Sequence, residues 1–298
     1  MTQISLRGLG VALVTPFNDD FTIDFDALGK LVDYQLANGV DYLVVLATTS
    51  EAVTLNCDER NAVARFVVER VAGRVPLILG MSNNCTLELA KHVKEVDLTG
   101  YSAILSVVPY YNKPSQEGIY QHFKALAEAS PLPVVLYNVP SRTGKNMEAV
   151  TTLRLAKEFP GKVIGIKEAS GDIEQIEAII AGKPEGFQVV SGDDALTLQL
   201  IRKGAEGVIS VVANALPTAM SRLVDIALVD NTSPEAEHIN ASLQALDRAL
   251  FAEGNPSGVK CLLSIMGFCH DVLRLPLVSV GSITRTAIES GLKIAQSC

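Results

Sequence analysis

The sequence predicts an α/β chain, a (β/α)8 barrel extended by C-terminal helices. Three observations carry this expectation. Short runs rich in Val, Ile and Leu recur along residues 1–216, and they are continuously apolar rather than alternating, as strands covered on both faces are. Longer segments of helical period separate them. The runs number eight, the count that closes a parallel barrel of the TIM class.

In chain order the strand runs are residues 11–14, 42–46, 75–79, 103–107, 134–137, 163–166, 187–190 and 207–211. Helices between them open on residues that cap an N-terminus, at Asp26, Asp58, Thr86, Ser115, Asp172 and Asp193. From residue 217 to 298 the pattern turns wholly helical, with apolar residues at helical spacing in 239–250 and 259–265. No low-complexity linker precedes it. The expected organisation is a catalytic barrel over 1–216 and a helical extension over 217–298 packed on it. A doubly wound open sheet is the competing arrangement, but the dinucleotide fingerprint is missing. Gly8-Leu9-Gly10 lacks a third glycine and is expected to precede its strand. Nor does Arg142-Thr143-Gly144-Lys145-Asn146 make a phosphate loop, since Val139 stands where the first glycine belongs.

The 298 residues are 48% apolar and 19% charged, enough for a large interior in one unit. A net charge of -8 without a basic run argues against a nucleic-acid partner. Cys57, Cys85, Cys261, Cys269 and Cys298 are odd in number and form no CxxC, which fits reduced thiols and a cytoplasmic setting. Residues 1–9 lack the basic and apolar parts of a secretion signal, and uncharged stretches such as 207–221 are short of a spanning helix. No membrane association is expected. His92, His122, His238 and His270 are dispersed without ligand spacing, and Asp193-Asp194 reads as a helix start, so no metal is expected.

A barrel places its active site at the C-terminal ends of its strands. That rule gathers Thr48 and Thr49, Tyr110 and Tyr111, Tyr137, Lys167 and Ser191-Gly192-Asp193 at one mouth. Taken singly, each has a plainer reading; Lys167 followed by Glu168 is most simply a surface ion pair. Together they suit carbonyl chemistry. A lysine is a nucleophile only when neutral, a state that desolvation favours, and its condensation with a ketone gives an iminium that acidifies the adjacent carbon. The phenol of Tyr137 can both donate and accept the protons such steps move. Backbone N–H groups around Thr48 and Thr49 suit one carboxylate, and the guanidinium of Arg142 a second.

Three segments carry a resemblance: Pro109-Tyr110-Tyr111-Asn112-Lys113-Pro114-Ser115-Gln116-Glu117-Gly118, Leu136-Tyr137-Asn138-Val139-Pro140-Ser141-Arg142-Thr143-Gly144, and Gly165-Ile166-Lys167-Glu168-Ala169. They resemble the dihydrodipicolinate synthase family of class I, Schiff-base pyruvate aldolases. The resemblance runs from Gly8 to about Val211 with a matching helical tail. It implies a homotetramer, a dimer of dimers, that joins pyruvate to aspartate semialdehyde and feeds lysine biosynthesis through diaminopimelate. No cofactor is implied beyond the covalent Schiff base of pyruvate on Lys167. Tyr137 is implied as general acid and base, with Thr48 linking it to a Tyr111 that reaches in from a neighbouring subunit. Thr49 would help bind the pyruvate carboxylate, Arg142 the semialdehyde, and Gly192 and Ile209 would line the site through backbone carbonyls.

Two departures stand out. Where the family reads Gly-Thr-Thr-Gly-Glu-Ser, this chain has Ala47-Thr48-Thr49-Ser50-Glu51-Ala52. A positive φ at Ser50 would add about 1–2 kcal/mol of strain that glycine avoids and weaken pyruvate binding. The second departure lies in a lysine effector site. Asn84, Glu88 and Tyr110 match it, whereas Cys57 and Arg60 replace two frequent histidines and Ala52 a serine. The fixed cation of Arg60 would repel lysine, so weak or absent feedback is expected. Rival readings are another pyruvate aldolase, such as N-acetylneuraminate lyase or a 2-keto-3-deoxy sugar acid aldolase, and a catalytically silent ligand-binding barrel.

Overall fold

A computed structural model describes residues 4–297. Eight parallel strands close into a barrel in sequence order: β1 Gly8–Ala12, β2 Tyr42–Val45, β3 Leu77–Gly80, β4 Ala103–Val107, β5 Val134–Asn138, β6 Val163–Glu168, β7 Gln188–Ser191 and β8 Gly207–Ser210. Pairing of β1 with β8, Gly8 opposite Gly207 and Val11 opposite Ser210, makes the closure. Around the strands run α1 Phe25–Ala37, α2 Cys57–Val71, α3 Thr86–Glu95, α4 Gln116–Ala129, the single turn α5 Pro140–Thr143, α6 Ala149–Glu158, α7 Ile173–Gly182, α8 Thr197–Arg202 and α9 Pro217–Val229. α10 Pro234–Phe251, α11 Ser257–Ile265 and α12 Ser282–Gln296 follow.

The strands are buried on both faces, which explains their unbroken apolar runs. One cluster fills the barrel interior, with Leu6, Tyr42, Val44, Leu105, Val135, Val190 and Ile209 among its members. A larger one lies between strands and helices. Gly10 carries no side chain because the Tyr42 ring occupies that space; a Cβ there would lie 2.2 Å from the ring. The buried Tyr42 hydroxyl donates to the Leu6 carbonyl at 3.3 Å, as an interior phenol requires.

Several element boundaries differ from the sequence pattern. β1 begins at Gly8 rather than residue 11, so Gly8 and Gly10 lie within the strand and not before it. Glycines carry no strand signal, and Leu13 and Val14 are apolar because the chain stays buried past the last pairing. α6 follows Glu148, whose side chain makes no cap hydrogen bond, and so it lacks the signature that marks other starts. α8 opens at Thr197, not Asp193; Asp193 caps a preceding turn by accepting from the Ala195 N–H. The C-terminal pattern is not wholly helical either. Residues 267–281, which include Pro276 and two glycines, are irregular between α11 and α12.

α9 packs on β1 and β8 and completes the ring of barrel helices, while α10 packs against α9, α11 and α12. α11 reaches the short turn Val212–Asn214 that follows β8. The irregular segment returns to the barrel through Arg274, whose guanidinium grips Glu59 at 2.6 and 2.8 Å and also bonds the carbonyls of Phe21 and Thr54. Among the described residues no helix is long and apolar enough to cross a membrane.

Hydrogen bonding from Arg274 holds the Glu59 carboxyl down to about 2, against an unfolded value near 4.5. A depressed carboxylate stabilises the fold above its unfolded value, and that contribution is lost as pH falls through the folded one. Glu59→Gln keeps an acceptor for the α2 cap and removes the charge. It is expected to lower Tm at pH 7, with the deficit closing as pH falls from 4.5 toward 2; a deficit independent of pH would contradict this.

Candidate active site

β6 ends Ile166-Lys167-Glu168, and strand alternation sends neighbours to opposite faces. Lys167 turns inward and is 3% exposed. Glu168 turns outward, where Asn138 Nδ2 donates to its two oxygens at 3.0 and 3.2 Å, the Ser170 N–H at 2.9 Å and Gln175 Nε2 at 3.3 Å. Burial raises the Glu168 carboxyl above its usual range, against the lowering effect of these donors. The simple reading of Lys167 and Glu168 as an ion pair is thereby excluded. Among the described residues Lys167 pairs with no carboxylate.

Tyr137 on β5 is the register partner of Lys167 on β6, and Lys167 Nζ stands 4.6 Å from the centre of its ring. Gly192, just after β7, leaves room for the lysine stem: a Cβ there would lie 3.0 Å from both Cγ and Cε of Lys167. Ile209 on β8 shares the interior cluster with Tyr137. Phenol, amine, glycine and isoleucine are thus brought to one end of the barrel interior.

Above them opens a cavity of about 860 Å³, lined by Thr48, Tyr137, Tyr110 and Arg142 and running outward between α2 and α3 past Arg60 and Glu88. Thr48, Thr49 and Ser50 form a tight turn after β2, and the N–H groups of Thr48 and Thr49 open this turn without acceptors inside it. Ser50 does not take a positive φ. The left-handed positions are Leu46 and Glu51, at φ 59° and 54°. Ser50 lies within the turn and its hydroxyl donates to the Leu13 carbonyl at 2.6 Å, so the strain expected from the missing glycine is not there. Ala47, at the other replaced glycine, has extended backbone.

Arg142 sits in α5, a turn closed by Gly144 at φ 69°. One guanidinium nitrogen donates to the Asn255 carbonyl at 3.0 Å, which leaves the rest of the fork for the cavity. Thr49 is 2% exposed, and its hydroxyl accepts from Asn255 Nδ2 at 3.0 Å. Tyr111 is not brought into this cavity. It is 88% exposed, at φ 72°, and is not among the residues that line the cavity. In the outer arm, Asn84 Nδ2 reaches the Tyr110 carbonyl at 3.5 Å, and Cys57, Arg60 and Ala52 line the wall with Glu88 and Tyr110.

Sequence reasoning passed over Asn255, Glu51 and Lys260. Glu51 and Lys260 form an ion pair at 2.5 Å with both side chains fully buried, and the Lys260 amine also donates to the Val272 carbonyl at 2.9 Å. A lysine at a buried helical position, spaced like its apolar neighbours in α11, was the available signal. Asp194 was also misplaced: it is buried, and one oxygen accepts from the Val211 and Val212 N–H groups, fastening the β7 loop to the end of β8.

A family model described as the dihydrodipicolinate synthetase family matches residues 5–295. The chain belongs to this family. The 4-hydroxy-tetrahydrodipicolinate synthase of Parabacteroides distasonis is 53% identical over 293 residues, covering 98% of each chain. The dihydrodipicolinate synthase of Thermotoga maritima superposes with a TM-score of 0.94 at 41% identity, over 98% of this chain and 99% of that one. The chloride-inhibited family member of Acinetobacter baumannii, in complex with pyruvate, gives 0.93 at 40% identity over the same shares. Family membership fits the eight-stranded barrel and the further C-terminal helices described above.

Gly192→Ala tests the placement of the amine. The added methyl would press on the Lys167 stem, and an amine displaced by about 1 Å is expected to condense with a small keto acid about 100-fold more slowly, read as borohydride-trapped adduct. Trapping at the wild-type rate would show that Lys167 does not depend on that space.

Proposed function

We propose that the protein condenses pyruvate with aspartate semialdehyde to 4-hydroxy-tetrahydrodipicolinate, a lyase step of lysine biosynthesis through diaminopimelate. One observation carries the reading: in a chain of this family, the buried Lys167 amine, which pairs with no carboxylate among the described residues, lies beside the ring of Tyr137, and Tyr137 lines a cavity that also presents Arg142. The neutral amine adds to the ketone carbon of pyruvate, water leaves, and the iminium draws electrons from the methyl group. Loss of a methyl proton gives the enamine, which attacks the aldehyde carbon of the acceptor; ring closure by the acceptor's own amine then frees Lys167. The iminium supplies the electron withdrawal a metal would otherwise provide, so no cofactor is required.

Tyr137 is placed to move the protons of carbinolamine breakdown and carbon–carbon bond formation. Thr48 borders the same cavity and is the next group of a relay. Thr49 and the open N–H groups of its turn take the pyruvate carboxylate, Arg142 takes that of the semialdehyde, and Gly192 and Ile209 line the pocket around the lysine. Arg142 also favours this acceptor over the hydroxyl-rich aldehydes of sugar acid aldolases, because a guanidinium fork matches a carboxylate.

Tyr111 completes the relay from a second copy within a homotetramer. Its ring is exposed and does not line its own chain's cavity, and Val53 and Leu87, at 85% and 81% exposure, leave apolar surface for another copy to cover. The wall carrying Arg60 with Glu88, Asn84 and Tyr110 is the effector site in this reading, and the guanidinium disfavours a cationic amino acid there. Reduced thiols and the absence of a candidate membrane span among the described residues accord with a cytoplasmic enzyme.

Borohydride reduction with pyruvate is expected to label the peptide containing Lys167, and Lys167→Ala to abolish both label and turnover; an unlabelled wild type would remove the aldolase reading. In coupled assays, aspartate semialdehyde is expected to exceed sugar acid aldehydes as acceptor, and the reverse order would move the protein to the sugar acid aldolases. Tyr111→Phe is expected to lower turnover about 100-fold while the adduct still forms, whereas unchanged turnover would refute the relay. Lysine is expected to inhibit weakly or not at all, and half-inhibition at sub-millimolar lysine would show that Arg60 does not protect the site.

A further inference from the structure

The turn that carries Thr48 and Thr49 is held from outside the barrel. Its Glu51 is 1% exposed and pairs with Lys260 of α11; its other oxygen accepts the Arg274 N–H at 3.0 Å. Thr49 Oγ1 accepts from Asn255, in the bend between α10 and α11. Three residues of the C-terminal helical region therefore fix the backbone and one hydroxyl of a turn that begins at the end of β2.

Asn255 holds two elements at once. Its side-chain amide bonds Thr49, and its main-chain carbonyl bonds Arg142 on the opposite side of the mouth. Asn255 is 7% exposed and its Oδ1 has no hydrogen-bond partner among the described residues, so the bond to Thr49 is its side chain's whole commitment. A hydroxyl has one hydrogen to give and lone pairs to receive. With a lone pair taken by Asn255 Nδ2, and no acceptor for its hydrogen among the described residues, Thr49 is left as a donor.

We propose that Asn255 is a positioning residue that orients the Thr49 hydroxyl as a donor to the carboxylate of the keto-acid substrate, so that the C-terminal region sets affinity for pyruvate. The inference rests on the condensation proposed above and adds a residue to it. It separates the two substrates, because Asn255→Ala removes the amide while the main-chain carbonyl still receives Arg142.

Steady-state kinetics with both substrates test this. Asn255→Ala is expected to raise KM for pyruvate about tenfold, the loss of one hydrogen bond to a charged group, with kcat and KM for aspartate semialdehyde within about twofold of wild type. In a Thr49→Val background the same substitution is expected to add nothing, since the hydroxyl it orients is gone. An unchanged pyruvate KM, equal shifts in both KM values, or additive effects in the double variant would overturn the inference. Should Asn255→Ala not yield folded protein, Asn255→Asp retains the size and removes the N–H donor; it is expected to raise the pyruvate KM likewise, and a wild-type value would overturn the inference. Wild-type protein that forms no borohydride-trapped adduct with pyruvate would remove the condensation and this inference together, whereas a trapped adduct with no selective KM shift would remove only the role of Asn255.

Discussion

Two strands meeting in register give alternate side chains to the barrel interior and to the helical layer, and the ends of β5 and β6 depend on that alternation. Tyr137 and Lys167 face inward as one pair, and Asn138 and Glu168 face outward as the next. A slip of one residue in either strand would exchange a phenol for an amide, or an amine for a carboxylate, in the barrel interior. The outer pair holds the inner one in place. Asn138 and Gln175 occupy the Glu168 oxygens, so the nearest carboxylate in sequence is spent on the far side of the sheet, and among the described residues the amine has no counterion.

A second dependence links the turn after β2 to the C-terminal helices. Both members of the Glu51–Lys260 pair are fully buried, and such a pair is stable only when each charge finds further partners. Lys260 has the Val272 carbonyl and the face of Phe17, its amine 4.0 Å from the ring centre, and Glu51 has the Arg274 N–H. Removing either member alone would leave a charge uncompensated in the interior, at a cost of about 3–5 kcal/mol. Glu51 also takes the left-handed conformation of the turn, so one residue supplies both its backbone bend and its electrostatic anchor.

The fold was legible because both signals that define it are local. Apolar runs and helical period stand in the sequence wherever a strand is covered on both faces, and seven of the eight strand runs begin within two residues of their observed positions. The exception, β1, is built partly of glycines, Gly10 leaving space for the Tyr42 ring and Gly8 for the Asp41 carboxylate, reasons that exist only once neighbouring strands have paired. Lys167 and Tyr137 were legible because a strand terminus has a known address in a barrel. Asn255, Glu51 and Lys260 were not, since their partners are distant in the chain and nothing near Asn255 marks it as facing Thr49. Ser50 shows the opposite error: a glycine missing from a motif suggested strain, yet the positive φ falls on its neighbour.

The bond from Arg274 to Glu51 spans 223 residues of sequence. During synthesis the Thr48–Thr49 turn leaves the ribosome early, and all eight strands follow by Ser210, but the cation that neutralises Glu51 arrives only with α11 and the segment behind it. The mouth of the barrel is therefore the part begun first and finished last. A partly made chain can carry Lys167 and Tyr137 side by side and still lack both anchors of the Thr48–Thr49 turn, so the mouth takes its shape only when α11 and the segment behind it are made.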